Sequence, residues 1–181
     1  MINEYRNGSG KADIASMTLP ELQEYTAELS EKSGVKIEKF RAKQIYEWLV
    51  RGVHDFDEMT NLPAKLREVL RADAYLTLPR VKIKLVSKID GTVKYLFELA
   101  DGECVESVFM RYEHGNTICI STQVGCRMGC TFCASTLGGL VRNLQPSERL
   151  GQVIAASNDM SERISNIVMM GIGEPLDNYD N

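Results

Sequence analysis

The chain has 181 residues, of which 44% are hydrophobic and 25% are charged, an ordinary composition for a folded globular protein. Its length suits one domain, or a small domain joined to part of a larger one. No apolar run approaches the ~20 residues of a membrane span, and the polar start MINEYRNGSGKAD is not typical of a signal peptide or anchor. We therefore expect a cytoplasmic protein with no membrane partner, where cysteines more often bind metal or do chemistry than form disulfides.

The charges are unevenly distributed. The formal net charge of −4 argues mildly against nucleic-acid binding, yet between Lys32 and Lys84 there are 12 Lys and Arg against 7 Asp and Glu. Such a basic segment can neutralise phosphates, although a solvated helix surface explains the same charges. Charge alone favours the solvated surface.

Three helices are predicted before residue 78. Thr18 and Glu21 form a capping box around Pro20, and Ser33-Gly34 ends the first helix. The second is predicted over 38–51 and the third over 61–72. Apolar residues recur at helical spacing in all three: Leu22, Tyr25, Leu29, Ile45, Trp48, Leu49, Leu62, Leu66, Val69 and Leu70.

The apolar period then changes to two. Alternating residues predict strands over 81–85, 93–99, 105–110 and 117–121, with hairpin turns at Asp90-Gly91 and Asp101-Gly102. Farther on, Ser147 is predicted to cap a helix that turns Leu150, Val153, Ile154 and Ala155 inward, and 164–170 reads as a buried strand. A strand, a crossover helix and a second apolar strand are typical of the start of a parallel α/β barrel.

The predicted fold class is therefore α/β with three segments. Residues 1–16 are expected to be a flexible leader, and 17–78 a small helical accessory domain. Residues 79–181 are expected to be an antiparallel strand unit followed by the first part of a barrel. A complete barrel of this type needs ~200 residues or more, so we expect an incomplete barrel domain.

The most informative motif places Cys126, Cys130 and Cys133 within eight residues, so that one loop can surround one inorganic centre. A zinc site would want four ligands, and Cys119 is a possible fourth. A disulfide framework is disfavoured by the expected compartment and by the odd total of five cysteines. An iron–sulfur cluster on three cysteines, with one iron left open, is the preferred interpretation.

A second motif, Gly171-Ile-Gly-Glu-Pro175, follows the next predicted strand. Its glycines would let the backbone approach a ligand closely, and the Glu174 carboxylate could take the ammonium group of S-adenosyl-L-methionine (SAM). Alone this string indicates only a turn. One crossover after the cysteines, it resembles the second SAM-binding element of the radical SAM superfamily, just as the Cys-x3-Cys-x2-Cys spacing resembles that superfamily's cluster motif.

Longer strings resemble one group within it. Cys119-Ile-Ser-Thr-Gln-Val-Gly-Cys126, Gly139-Leu-Val-Arg-Asn-Leu144 and Asn166-Ile-Val-Met-Met-Gly-Ile-Gly-Glu174 are similar to the dual-specificity RNA methyltransferase family. The likeness extends over about 18–181 and includes the helical segment, which resembles the family's RNA-contacting domain. It implies methylation of carbon 2 of adenosine in 23S rRNA and tRNA, with an electron donor such as flavodoxin or ferredoxin, by a monomer.

The resemblance also implies roles for individual residues. Cys126, Cys130 and Cys133 would hold a [4Fe-4S] cluster, and Gly173 and Glu174 would bind SAM. Glu106, thirteen residues before Cys119, would be the proton acceptor, and Cys119 would help to release the methylated RNA. Without the resemblance, Glu106 would be interpreted as an exposed strand carboxylate and Cys119 as a small apolar strand residue.

The family's methyl-carrying cysteine, which lies near the C-terminus of its members, has no counterpart in these 181 residues. We therefore expect this piece alone to lack methyl transfer. Two alternatives remain: another radical SAM enzyme, including one that methylates carbon 8 of adenosine, and a metal-binding RNA-binding fragment without catalysis.

Overall fold

The computed structural model describes residues 5–181, and they divide into two compact units, one up to Leu78 and the other Pro79–Asn181. The start of the predicted leader, residues 1–4, lies outside the described residues. No helix within 5–181 combines the length and apolarity needed to cross a membrane.

The first unit is built from three helices, α1 (Leu19–Ser33), α2 (Phe40–Arg51) and α3 (Ala64–Asp73). The capping box of Thr18 and Glu21 is present, and Gly34 and Gly52 end their helices in the left-handed conformation. All the predicted core residues of these helices are buried or partly buried, and they form one apolar cluster. α2 begins at Phe40, two residues later than predicted.

The leader predicted for 1–16 does not extend to residue 16. Strand β1 (Ala12–Asp13) pairs in parallel with β2 (Ala74–Tyr75), and a 3-10 turn follows at Ile14–Ser16. Ala12 and Ile14 are completely buried in the helical core. Burial of apolar side chains holds this stretch in place, which a mostly polar sequence did not indicate.

The second unit is a five-stranded sheet in the order β3-β4-β5-β6-β9. Its strands are β3 (Arg80–Val86), β4 (Val93–Glu98), β5 (Cys104–Tyr112), β6 (Gly115–Cys119) and β9 (Asn166–Val168). The first four pair antiparallel, whereas β6 and β9 are parallel. The predicted class, α/β with a helical segment, an antiparallel strand unit and a parallel βαβ start, is confirmed.

Between β6 and β9 the chain forms a small two-stranded ladder and then helix α4 (Pro146–Met160). The ladder pairs β7 (Gln123–Gly125) with β8 (Leu140–Asn143). α4 covers one face of the main sheet through polar contacts: Gln152 accepts from Ser107 Oγ at 2.7 Å, and Asp159 accepts from Tyr95 Oη at 2.6 Å.

Three predictions about this unit were wrong in detail. Helix α4 is capped by Gln145 rather than Ser147, because the Gln145 N–H donates to Glu148 Oε2 at 2.9 Å. Its buried face contains Gln152, Ala155 and Ala156, while Leu150 is 46% exposed. Segment 164–170 is not a buried strand: β9 lies at the end of the strand order, and the exposed residues there are Ile167, Met169 and Met170. At the other end of the order, the alternating apolar residues of β3 are exposed too: Val81, Ile83 and Leu85.

Candidate functional site

The three cysteines lie on a loop whose two ends are joined by the β7–β8 ladder. The Cys126 N–H donates to the Gly139 carbonyl oxygen at 3.0 Å, and β7 and β8 continue the pairing below it. We call residues 126–139 the cysteine loop. All three cysteines are free; Cys126 is buried, Cys133 is half-buried and Cys130 is exposed.

The three thiols belong to one short loop, but their sulfur atoms are not grouped closely enough to share a metal ion. Across residues 5–181, no three His, Cys, Asp or Glu side chains are grouped closely enough to hold a metal ion. The Cys133 N–H donates to the Cys130 carbonyl at 3.1 Å, so the two later cysteines share a tight turn. Three free thiols on one surface loop are a donor set that suits an iron–sulfur cluster.

The second motif lies directly against the cysteine loop's base. After β9, the Gly171 N–H donates to the Ile120 carbonyl at 3.0 Å, and the Ile172 carbonyl accepts from Thr122 and Gln123 N–H groups. A β carbon on Gly171 would stand 2.7 Å from the Ile120 oxygen. These contacts show that the lack of a side chain at Gly171 is needed for its packing against Ile120.

Glu174 is held at the end of this motif, which we call the glycine loop (Gly171–Pro175). Its backbone N–H donates to Gln123 Oε1 at 2.9 Å, and its carboxylate accepts from the Leu176 N–H at 3.0 Å, capping a 3-10 turn. The side chain is half-buried. Glu174 is therefore a positioned carboxylate that could bind a cationic group.

An ion pair joins the cysteine loop to the residues that follow the glycine loop. Arg127, one residue after Cys126, pairs with Asp177, three residues after Glu174. The hydrogen bond from Arg127 holds the pKa of Asp177 below its ordinary value. Both loops lie at the carboxyl ends of β6 and β9, the end of parallel strands at which ligands bind in α/β folds.

Glu106 and Cys119 project from the same face of the sheet. Cys119 pairs directly with Val108, and Glu106 lies two residues from Val108 on β5. Because side chains two apart share a face, the two predicted catalytic residues face the same space. Lys94 Nζ lies 2.9 Å from Glu106 Oε1, an ion pair that is half-exposed.

An open apolar groove of about 640 Å³ lies on this face beside Cys119. Thr117 Oγ1 and Asn166 Nδ2 are buried at its wall and have no hydrogen-bond partner among the described residues. The mainly apolar groove therefore contains two polar atoms that are free to form hydrogen bonds with a ligand. The remaining lining residues are Val108, Met110, Tyr112, His114, Val168 and Met170.

Sequence reasoning missed the polar residues that join these parts. Gln123, Arg127, Asp177 and Lys94 belong to none of the predicted sites. Gln123 follows Ser121 and Thr122 just after the predicted strand 117–121, and no pattern in the sequence marks it. Lys94 follows simple alternation, and nothing in the sequence shows that it meets Glu106.

Known proteins resemble both units. Residues 12–76 match the family described as "Ribosomal RNA large subunit methyltransferase N-terminal domain". The chain is 55% identical over 170 residues to a "Probable dual-specificity RNA methyltransferase RlmN" of Alkaliphilus oremlandii, covering 94% of this chain and 48% of that protein. A protein of the same name from Clostridium tetani is 53% identical over 169 residues, covering 93% and 47%.

A solved structure has a similar fold. A radical SAM methyltransferase from Sphaerobacter thermophilus superposes with a TM-score of 0.80 at 39% identity, covering 93% of this chain and 49% of that one. The chain thus spans about half the length of the relatives it matches. Over that half, the chain is similar in sequence to proteins named RlmN and in fold to a radical SAM methyltransferase.

Proposed function

We propose that this chain provides the cluster-binding and SAM-binding part of a radical SAM methyltransferase that acts on carbon 2 of adenosine in 23S rRNA and tRNA. The observation that carries the proposal is the set of contacts around the bases of the two loops. The Glu174 N–H donates to Gln123, which precedes the cysteine loop, and Arg127 of that loop pairs with Asp177, at the carboxyl end of two parallel strands.

In this proposal Cys126, Cys130 and Cys133 hold a [4Fe-4S] cluster. The donor set fits, since the three thiols are free and belong to one loop with an exposed tip. When bound, the cluster and SAM supply the one-electron chemistry that generates a carbon-centred radical. The chain's own task is to gather the thiols, and the ladder below Cys126 fixes the base from which the loop does so.

Gly173 and Glu174 bind SAM in this proposal. The Glu174 carboxylate offers a negative charge to the amino group of SAM, and its backbone is fixed by Gln123. Gly173 adopts a φ of +103°, a conformation that residues with a side chain rarely adopt.

Glu106 and Cys119 act from the sheet face beside the groove. Glu106 would accept the proton that the methylated adenine loses, and the ion pair with Lys94 orients its carboxylate. Cys119 would assist release of the RNA product. The groove and its unpaired polar atoms offer space for a base turned out of an RNA strand.

The helical unit would contact RNA phosphates. Among its exposed cations are Lys39, Lys43, Arg51 and Lys65, and cations of this kind support salt-dependent binding to RNA. An electron donor such as flavodoxin or ferredoxin and a monomeric state complete the proposal.

The test is anaerobic reconstitution of the 181-residue chain with iron and sulfide. We expect a brown protein with about four irons per chain that cleaves SAM to 5′-deoxyadenosine and methionine on reduction with dithionite. Cys130→Ala should lose the iron, whereas Cys104→Ala should keep it. A colourless chain that binds one zinc ion would refute the proposal.

A further inference from the structure

The Gln123 side chain is completely buried where three parts of the site meet. Its Oε1 accepts from the Glu174 N–H at 2.9 Å, and its Nε2 donates to Asn143 Oδ1 at 2.8 Å and to Asp177 Oδ2 at 2.9 Å. Both amide hydrogens and the amide oxygen are therefore engaged.

Each partner belongs to a different part of the site. Asn143 lies on β8, which closes the cysteine loop, and Glu174 is the carboxylate proposed for SAM. Asp177 follows the glycine loop and also pairs with Arg127 of the cysteine loop. One buried amide thus connects Asn143, at the base of the cysteine loop, with Glu174 of the glycine loop and with Asp177, which follows that loop.

Packing reinforces the connection. A β carbon on Gly173 would stand 2.6 Å from the Gln123 β carbon, so the glycine-loop backbone lies directly on this side chain. This close approach leaves no room for a side chain at position 173.

We propose that Gln123 is a positioning residue that holds the SAM carboxylate partner, Glu174, at a fixed distance from the cluster-binding loop. The inference rests on the proposed function. In this role Gln123 fixes the position of Glu174 relative to Cys126. It would touch neither the SAM bound at Glu174 nor the iron bound at Cys126.

The chemistry of the site explains why glutamine is required. Glutamate would keep the acceptor for Glu174 but would place a second carboxylate against Asp177. Methionine would fill the space but remove the acceptor for the Glu174 N–H and the donor to Asp177 Oδ2, a substantial cost in a buried site. Changing Gln123 to Glu together with Asp177 to Asn would reverse the direction of that hydrogen bond, while the new asparagine could still accept from Arg127.

The first test needs no cofactor. Amide hydrogen exchange is measured on the 181-residue chain for wild type, Gln123→Met, Gln123→Glu, the Gln123→Glu/Asp177→Asn pair, and Gln23→Met as an exposed control. Exchange at Glu174 should accelerate about tenfold or more in Gln123→Met, and stay at the wild-type rate in Gln23→Met. A wild-type exchange rate at Glu174 in Gln123→Met would overturn the proposal.

The second test uses chains reconstituted with iron and sulfide. The electron paramagnetic resonance spectrum of the reduced cluster is recorded while SAM is titrated. Gln123→Met should keep its iron but need about tenfold more SAM for the same spectral change. Gln123→Glu should behave similarly, and the paired variant should recover most of the wild-type response.

The outcomes separate the two proposals. A wild-type chain that holds no cluster, or whose cluster does not respond to SAM, refutes the proposed function. A responsive wild type with an equally responsive Gln123→Met refutes only the role of Gln123. Loss of iron from Gln123→Met would show that the residue maintains the loop's fold, which also overturns the positioning role.

Discussion

Gly125 and Gly139 touch so closely that a β carbon on Gly125 would stand 2.0 Å from the Gly139 carbonyl oxygen. That oxygen accepts the Cys126 N–H, so the contact forms the neck of the cysteine loop. Gly125 also has a φ of +72°, which L side chains rarely adopt.

The first prediction concerns this neck. Gly125→Ala should lower the free energy of unfolding by about 2–4 kcal/mol, because it adds a steric clash with backbone to a strained φ, and it should reduce the iron bound on reconstitution. Gly138→Ala is the matched control, since its β carbon would meet nothing within 4 Å. Denaturant unfolding and iron analysis measure both effects. Equal stability and iron content in the two variants would contradict the steric argument.

The second prediction concerns Arg142, which binds Glu148 through two hydrogen bonds of 2.7 and 2.8 Å. Glu148 is buried and Arg142 is partly exposed. Arg142→Met should cost about 2–4 kcal/mol in unfolding free energy, because it leaves a buried carboxylate without its cation. Arg163→Met, at an exposed position, should change stability by less than ~0.5 kcal/mol. A similar loss of stability in both variants would show that removal of a positive charge, rather than loss of the Arg142–Glu148 pair, is responsible.

The third prediction concerns pH and the helical unit. Burial tends to raise the pKa of Asp73, but the hydrogen bonds and charges of Lys32, Arg6 and Tyr25 outweigh it and hold that pKa below its ordinary value. A lowered folded-state pKa stabilises the fold fully above the unfolded value of about 3.9, and this contribution is lost as pH falls through the folded pKa.

Asp73→Asn should therefore reduce stability by about 1–2 kcal/mol at pH 7, where the pairing is complete. The difference from wild type should shrink below pH 4. Thermal unfolding of both chains from pH 7 to pH 3 measures it. A constant difference over that range would exclude titration of Asp73 as the cause.

The fourth prediction separates the structural and catalytic interpretations of Glu106. Its ion pair with Lys94 is half-exposed, and such pairs contribute about 0–1 kcal/mol. Glu106→Gln and Lys94→Met should each change unfolding free energy by less than ~1 kcal/mol. Circular dichroism melts provide the measurement. A loss of several kcal/mol in Glu106→Gln would indicate that the residue is needed for folding, and would weaken its assignment as proton acceptor.

Local signals in the sequence were sufficient for much of the fold. The Thr18–Glu21 capping box, the terminal glycines and the change of period after residue 80 depend on short-range physics, and the structure contains each of them. The inward face of α4 was mispredicted because polar contacts decide it. Gln152 bonds to Ser107 and Ser121, and no hydrophobic pattern reports such a network.

In the candidate site, too, the sequence indicated the local motifs but not the contacts between distant residues. The cysteine spacing and the glycine loop are contiguous in sequence, so they were visible as motifs. The connections between Gln123 and Glu174, and between Arg127 and Asp177, join residues about fifty positions apart. The parallel pairing of β6 with β9 brings them together, and although the strand–helix–strand pattern predicts that pairing, it does not show which side chains meet beyond the strands.

The two-stranded ladder also has a consequence for the order of folding. Gln123 and Asn143 are 20 positions apart, whereas the parallel pair joins Thr117 to Asn166 across the whole loop and α4. Closing the shorter segment costs less chain entropy, so the ladder is expected to form earlier than the parallel pair. A nascent chain would then form the proposed cluster-binding loop before the glycine loop proposed to bind SAM has taken its place on the sheet.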